Sequence, residues 1–292
     1  MRPERLRDLI KNRGSEISFD EYRLRYAAER FLLRLQESSY KDKLIIKGGF
    51  LMGTIYNVEQ RMTKDLDALI KGMDTDKVIV KEMLEEIMAI DLQDGVRFEL
   101  IDLLDSQKNQ IYKGYRAKLI MFLGDKSNVI FDFDLGVGDV VTPSPRQVRI
   151  PLLFNEKNGE KKFLTLLSYP LETILAEKTE IILSLGTENT RMKDFYDLHL
   201  MLNDPERPPI EKRYQAFLNT WNFRHGEISD ESFEDWEFIL EELSQKASEK
   251  NDVWQRYIKD RPYAQKLRLE EIISEFSDYV IKLKEIYNKS SE

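Results

Sequence analysis

Two short runs, "DLDALI" at 65–70 and "VIFDFDL" at 129–135, constrain this chain more than any other feature. Alternate side chains of a strand share a face. Asp65 and Asp67 therefore point one way, while Leu66, Ala68 and Ile70 point the other. In the second run Val129, Phe131, Phe133 and Leu135 make an apolar face, with Asp132 and Asp134 on the opposite one. Strands of this kind bury one side and carry carboxylates on the other. Like charges close together repel and raise each other's pKa, so such a face needs cations or water. Hard divalent cations such as Mg²⁺ suit these oxygens. Two metals held this way can activate an attacking hydroxyl and stabilise a leaving phosphate oxygen. The competing reading is a solvated sheet face.

Gly48 and Gly49 follow a short apolar strand, 44–46, and precede a helix near 50–57. Backbone N–H groups at a helix start can accept a phosphate, and glycine lets the backbone approach a ligand closely. A Gly-Gly pair alone is also a plain turn. Glycine turn, Asp-x-Asp, then a third carboxylate on a neighbouring strand is the set that a nucleoside-triphosphate site for nucleotidyl transfer requires.

The run "YPLETILAEKTEIILSLG" adds a cation. Leu171, Ile174, Leu175, Ile181, Ile182 and Leu185 form an apolar stripe at helical spacing, and Lys178 falls within it. A lysine there either snorkels out or meets an anion such as a triphosphate. In the next helix Asp194 and Asp197 lie three apart and share a side. Lys193 and Asp197 are spaced for an ordinary i,i+4 pair. Arg191 and Lys193 suit a phosphate or an RNA backbone. His199 reads as a packed helix residue.

The chain has 292 residues, 41% of them hydrophobic and 34% charged, and a net charge of −8. It can bury a sizeable core. No apolar run approaches the ~20 residues that cross a bilayer, and "MRPERLRDLIKNRG" lacks the apolar region of a secretory signal. A cytoplasmic protein is expected. Without cysteine there is no disulfide and no thiolate, and two histidines, His199 and His225, make a histidine-rich zinc site a poor fit. Net negative charge argues against a wholly basic nucleic-acid coat. Residues 1–47, however, hold twelve Lys/Arg against eight Asp/Glu, whereas 227–250 hold nine acidic residues against two basic ones.

Hydrophobic periodicity places helices at 3–13, 19–38, 50–57 and 76–90, the second opened by a capping box at Ser18 and Glu21 and the last by Thr75. Strands are expected at 44–46, 65–71, 96–103, 114–123 and 128–135, with antiparallel pairing because several run in sequence. A further strand pair turns at Asn158-Gly159. Helices follow at 170–185, 190–203, 210–223, 229–247, 252–259 and 263–288. The expected fold is a mixed α+β sheet with flanking helices over 1–155, then a mainly helical domain over 156–292.

In their order along the chain, "KGGFLMG", "RMTKDLDALI", "FDFDLGVGD", "LETILAEKTEIILSLG" and "RMKDFYDLHLM" resemble the AbiEii/AbiGii toxin family of the DNA-polymerase-β-like nucleotidyltransferases. The match runs from Lys47 to Met201. The resemblance implies a nucleotidyltransferase core followed by helices. It implies a toxin of a toxin–antitoxin pair, often in phage-abortive systems, that uses a nucleoside triphosphate with Mg²⁺ or Mn²⁺. In some members nucleotides are added to the acceptor end of tRNA. By position, Asp65 and Asp67 resemble the paired metal ligands and Lys178 the triphosphate-contacting lysine. Asp194 resembles the late catalytic aspartate, with Asp197 next in line. Asp134 best fits the third carboxylate, also a metal ligand, and Asp132 competes with it. Gly48-Gly49 stands where the wider superfamily often has Gly-Ser; Thr63 is a substitute hydroxyl. The segment after about 205 matches no motif.

These features lead to an RNA-directed nucleotidyltransferase toxin. Asp65, Asp67 and Asp134 hold metal, Gly48, Gly49, Thr63 and Lys178 bind nucleotide, and Asp134 or Asp194 helps deprotonate the acceptor hydroxyl. The acceptor, tRNA foremost, docks on basic segments that include Arg191 and Lys193. The antitoxin is expected to be a separate chain. Two alternatives stand beside this reading: a nucleotidyltransferase acting on a small hydroxylated molecule, and a non-catalytic nucleotide- or RNA-binding protein.

Overall fold

The computed structural model describes residues 1–13, 17–56, 65–106, 114–124, 127–154 and 162–291. The chain divides into two units, Met1–Asp139 with Pro145–Ser168, and Val140–Ser144 with Tyr169–Glu292.

The first unit is built on a seven-stranded mixed sheet. Its strands are β1 (Leu44–Lys47), β2 (Asp65–Ile70), β3 (Val96–Asp105), β4 (Gly114–Leu123), β5 (Ser127–Val137), β6 (Arg146–Pro151) and β7 (Phe163–Ser168). They lie in the order β3-β4-β5-β2-β1-β7-β6. The hairpins β3–β4, β4–β5 and β6–β7 are antiparallel, as is β1–β2. Not every pairing is antiparallel as the run of strands suggested: β2 pairs in parallel with β5, and β1 with β7. The β2–β5 pair decides where the carboxylates go, because it joins distant stretches, Asp65 with Asp132, in no local pattern.

The apolar faces are covered by α2 (Phe19–Glu37). Phe31 on this helix meets the rings of Phe98, Phe131 and Phe133 edge-on at 5.8, 6.4 and 5.2 Å. The Ser18 hydroxyl accepts from Glu21 N at 3.2 Å, and the Glu21 carboxylate accepts from Ser18 N at 3.0 Å, so the capping box forms as expected. The other helices are α1 (Pro3–Lys11), α3 (Gly48–Ile55) and α4 (Lys77–Ala89). Helix α3 begins on the glycine pair itself, two residues earlier than the pattern indicated. Helix α4 is capped by Asp76 rather than Thr75, through Asp76 Oδ1 accepting from Val78 N at 2.8 Å; a carboxylate is the stronger acceptor for an orphan N–H.

The second unit is helical: α5 (Leu171–Leu185), α6 (Met192–Leu202), α7 (Ile210–His225), α8 (Asp230–Gln245), α9 (Asn251–Ile258) and α10 (Leu269–Ser291). Phe217 and Phe233 meet Trp236 edge-on in its core, with centroids 5.3 and 4.7 Å apart. Helix α10 starts six residues later than the sequence pattern placed it. The intervening chain is held in turns, and Leu267 O accepts from Trp254 Nε1 at 3.0 Å. The turn expected at Asn158-Gly159 lies outside the described residues. Among the described residues no helix is long and apolar enough to cross a membrane.

Candidate functional site

The parallel register of β2 and β5 sets Asp65 opposite Asp132 and Asp67 opposite Asp134. Four carboxylates thus stand in two neighbouring pairs on one face, all half-buried. The apolar side chains that alternate with them (Leu66, Ala68, Phe131, Phe133, Leu135) are buried on the other side. The alternation in the sequence becomes the geometry of the site directly.

Gly48 adjoins this row. It sits at φ +74°, and a Cβ there would lie 2.0 Å from Asp67 Oδ2 and 2.6 Å from its Cγ. Only glycine lets the chain pass so close to that carboxylate in this conformation. Gly48 and Gly49 form the first turn of α3, whose N-cap residue Lys47 makes no capping bond with its own side chain. The first N–H groups of a helix have no intrahelical acceptor and carry partial positive charge. Thr63 lies outside the described residues.

Two cations belong to the same face. On β4, Arg116 stands opposite Asp134 and Lys118 opposite Asp132. Arg116 grips Asp134 with both arms of its guanidinium, Nε to Oδ1 at 2.7 Å and an Nη to Oδ2 at 2.8 Å. This bond, then the charges of Asp134, Asp132 and Asp65, outweigh burial and raise the pKa of Arg116 above its ordinary value. Lys47, at the end of β1, pairs its Nζ with Asp139 Oδ2 at 2.8 Å. Neither pair was anticipated from the sequence. Arg116 and Lys118 were readable, however, because they repeat with opposite sign the i,i+2 spacing of Asp132 and Asp134 on an expected strand next to them.

In the helical unit, Lys178 Nζ meets Asp194 Oδ1 and Asp197 Oδ2, each at 2.7 Å. Both carboxylates are buried, and Arg191 Nε reaches Asp194 Oδ2 at 3.0 Å. Burial pushes Asp194 upward, but Lys178 and Arg191 outweigh it and hold the carboxyl below its usual value. The Asp194–Asp197 spacing does put both on one side of α6, where Asp197 meets Lys178. Lys193 is exposed. His199 Nδ1 lies 2.7 Å from Glu275, and His225 Nε2 lies 2.7 Å from Glu180.

Among the described residues no three His, Cys, Asp or Glu side chains are gathered as a ready metal cage. Asp134, the expected third ligand, is turned onto Arg116. The donor set on β2 still fits Mg²⁺, which is usually bound by one or two carboxylates together with substrate phosphates and retained water. The Gly48 cradle that fixes the space around Asp67 supports that fit.

The chain matches the model of the nucleotidyl transferase AbiEii toxins of type IV toxin–antitoxin systems over residues 30–280. Among solved structures it resembles MenT4, a nucleotidyltransferase toxin from Mycobacterium tuberculosis H37Rv, with a TM-score of 0.49 and 17% identity over 73% of this chain and 71% of that one. No match was found among curated proteins. The family match spans most of both units, carboxylate strands and helices alike, and this chain belongs to the AbiEii nucleotidyltransferase toxin family.

Proposed function

We propose that this toxin transfers nucleotides from a nucleoside triphosphate to an RNA hydroxyl, with tRNA as the acceptor. The observation that carries the reading is the register of β2 on β5, which sets Asp65 and Asp67 beside Asp132 and Asp134, with Asp67 against Gly48 at the start of α3. Asp65 and Asp67 would hold Mg²⁺ or Mn²⁺, which supplies neutralisation of the triphosphate charge when bound. The N–H groups of Gly48 and Gly49 bind phosphate oxygens. The family resemblance gives Lys178, which is held by Asp194 and Asp197, the role of the triphosphate-contacting lysine. The acceptor oxygen forms a bond to the α-phosphorus as the α–β phosphoanhydride breaks, and pyrophosphate leaves. Asp134 or Asp194 takes the hydroxyl proton. Catalysis of this kind rests on positioning and charge stabilisation. A separate antitoxin chain restrains the activity.

The test is transfer of label from each of the four nucleoside triphosphates to total RNA, with and without Mg²⁺. Metal-dependent labelling of tRNA is expected. Labelling of small hydroxylated molecules alone would transfer the activity to that acceptor class, and no turnover with any triphosphate would leave a binding protein.

A further inference from the structure

The helical unit holds a second polar site. An open pocket of about 230 Å³ is lined in part by Arg207, Arg213, Tyr279 and Lys282. Arg213, on α7, is 8% exposed, and its guanidinium makes no hydrogen bond or ion pair among the described residues. Its near neighbour is the Tyr279 ring, 5.2 Å from the guanidinium carbon. The Tyr279 hydroxyl is buried and likewise has no partner. Burial lowers the pKa of Arg213, yet a guanidinium stays charged in proteins. The charge of Glu211 favours it but only through space, and a buried cation without an ion-pair partner is costly.

The two acids that line the pocket form no ion pair with Arg213 among the described residues. Glu275 is engaged by His199 Nδ1 at 2.7 Å and Asn203 Nδ2 at 2.9 Å, and Asp278 is exposed. Arg207 and Lys282 are exposed too and add positive charge at the rim. The arrangement asks for an anion with several acceptor oxygens. A guanidinium fork matches phosphate geometry. The volume is below the ~300–1,000 Å³ of small-molecule sites, so a phosphate fits while an attached sugar and base stay outside.

We infer that the Arg213 pocket binds one phosphate group, with the Tyr279 hydroxyl beside it and Arg207 and Lys282 at its mouth. Resting on the RNA reading above, that phosphate belongs to the backbone of the acceptor RNA; a free phosphate is the other source of the same chemistry.

Calorimetric titrations with tRNA and with inorganic phosphate test this on the wild type, Arg213→Met and Lys282→Glu. Thermal melts accompany them, and the exposed Lys282 position serves if Arg213→Met does not fold. The wild type should bind tRNA, with inorganic phosphate competing. Each variant should weaken tRNA binding by roughly tenfold or more. The slope of log affinity against log salt should shrink by about one contact. Loss of phosphate binding in Arg213→Met with tRNA affinity unchanged would overturn the RNA source. Unchanged affinities for both probes in folded variants would overturn the site. Failure of the function proposed above has a different signature, no label transferred to RNA by the wild type, which does not alter the phosphate titration.

Discussion

Gly48 and Asp67 leave no room for a further atom between them: a Cβ on Gly48 would fall 2.0 Å from Asp67 Oδ2. The strand pairing that sets Lys47 opposite Asp67 fixes the approach. Gly48→Ala should therefore fail twice. The residue is held at φ +74°, a region that costs L side chains about 1–2 kcal/mol, and the Asp67 carboxylate must swing away. Gly138→Ala is the control, since Gly138 sits at φ +91° with nothing within 4 Å of its Cβ. Both variants should melt earlier, but only Gly48→Ala should lose divalent-cation stabilisation of the fold. Equal cation responses in the two would show that the contact with Asp67 is immaterial.

Arg116 and Asp134 give the second prediction. Their two-armed bond neutralises the carboxylate expected as third ligand. Arg116 is about one-third exposed, so Arg116→Met should change stability by no more than about 1 kcal/mol, the range of exposed ion pairs. Its clearer effect should be on cations. Freed of its guanidinium, Asp134 adds a charge beside Asp67, and Mn²⁺ affinity measured by titration should rise. An unchanged affinity would confine the metal to Asp65 and Asp67.

The local rules of the chain were legible where one element settles them. The alternation in "DLDALI" and "VIFDFDL" gave two strands with carboxylates on one face, and Ser18 with Glu21 gave the start of α2. What single elements cannot carry is which strands become neighbours. The parallel pairing of β2 with β5 joins distant segments, and it alone turns two Asp-x-Asp runs into one row. Arg116 escaped for a related reason: a cation on a strand reads as solvated until the strand beside it is known. The start of α10 failed differently, because helical periodicity continues through a segment that tertiary contacts hold in turns. The ion triad of Lys178, Asp194 and Asp197 was visible only as a spacing of charges on two separate helices.

That triad makes the third prediction. Lys178→Met removes the cation that meets two buried carboxylates. Breaking a buried pair by deleting one partner typically costs about 3–5 kcal/mol, and Arg191 still reaches Asp194. The sign with pH follows from Asp194, whose folded pKa lies below the ordinary 3.8. Its ion pairs stabilise the fold fully above that value and lose the contribution as pH falls through the lower folded one. In Lys178→Met Asp194 loses its largest counter-charge, and its burial is relieved by protonation instead. The stability gap to the wild type should be widest near neutral pH and narrow towards pH 3. Denaturant unfolding at both ends of this range checks it, and a gap independent of pH would dissociate the cost from these charges.

The last prediction separates Asp65 and Asp67 from ordinary surface acids. Each shares its strand face with the other and faces Asp132 or Asp134 across the parallel pair. An acid that serves only to solvate a sheet can be replaced at little cost, and one that crowds like charges is better removed, because repulsion is relieved. Asp65→Asn and Asp67→Asn keep the shape and remove one charge each. Both should fold with stability equal to or above that of the wild type without metal. Both should lose the gain in melting temperature that Mg²⁺ gives the wild type in the presence of a nucleoside triphosphate. Nucleotide transfer should fall by at least the roughly 10²–10³-fold of one lost preorganised electrostatic contact. Stability and activity thus move in opposite directions, which a structural carboxylate does not produce. Near-normal transfer in either folded variant would remove the metal from this pair and with it the carboxylate row as the seat of the reaction.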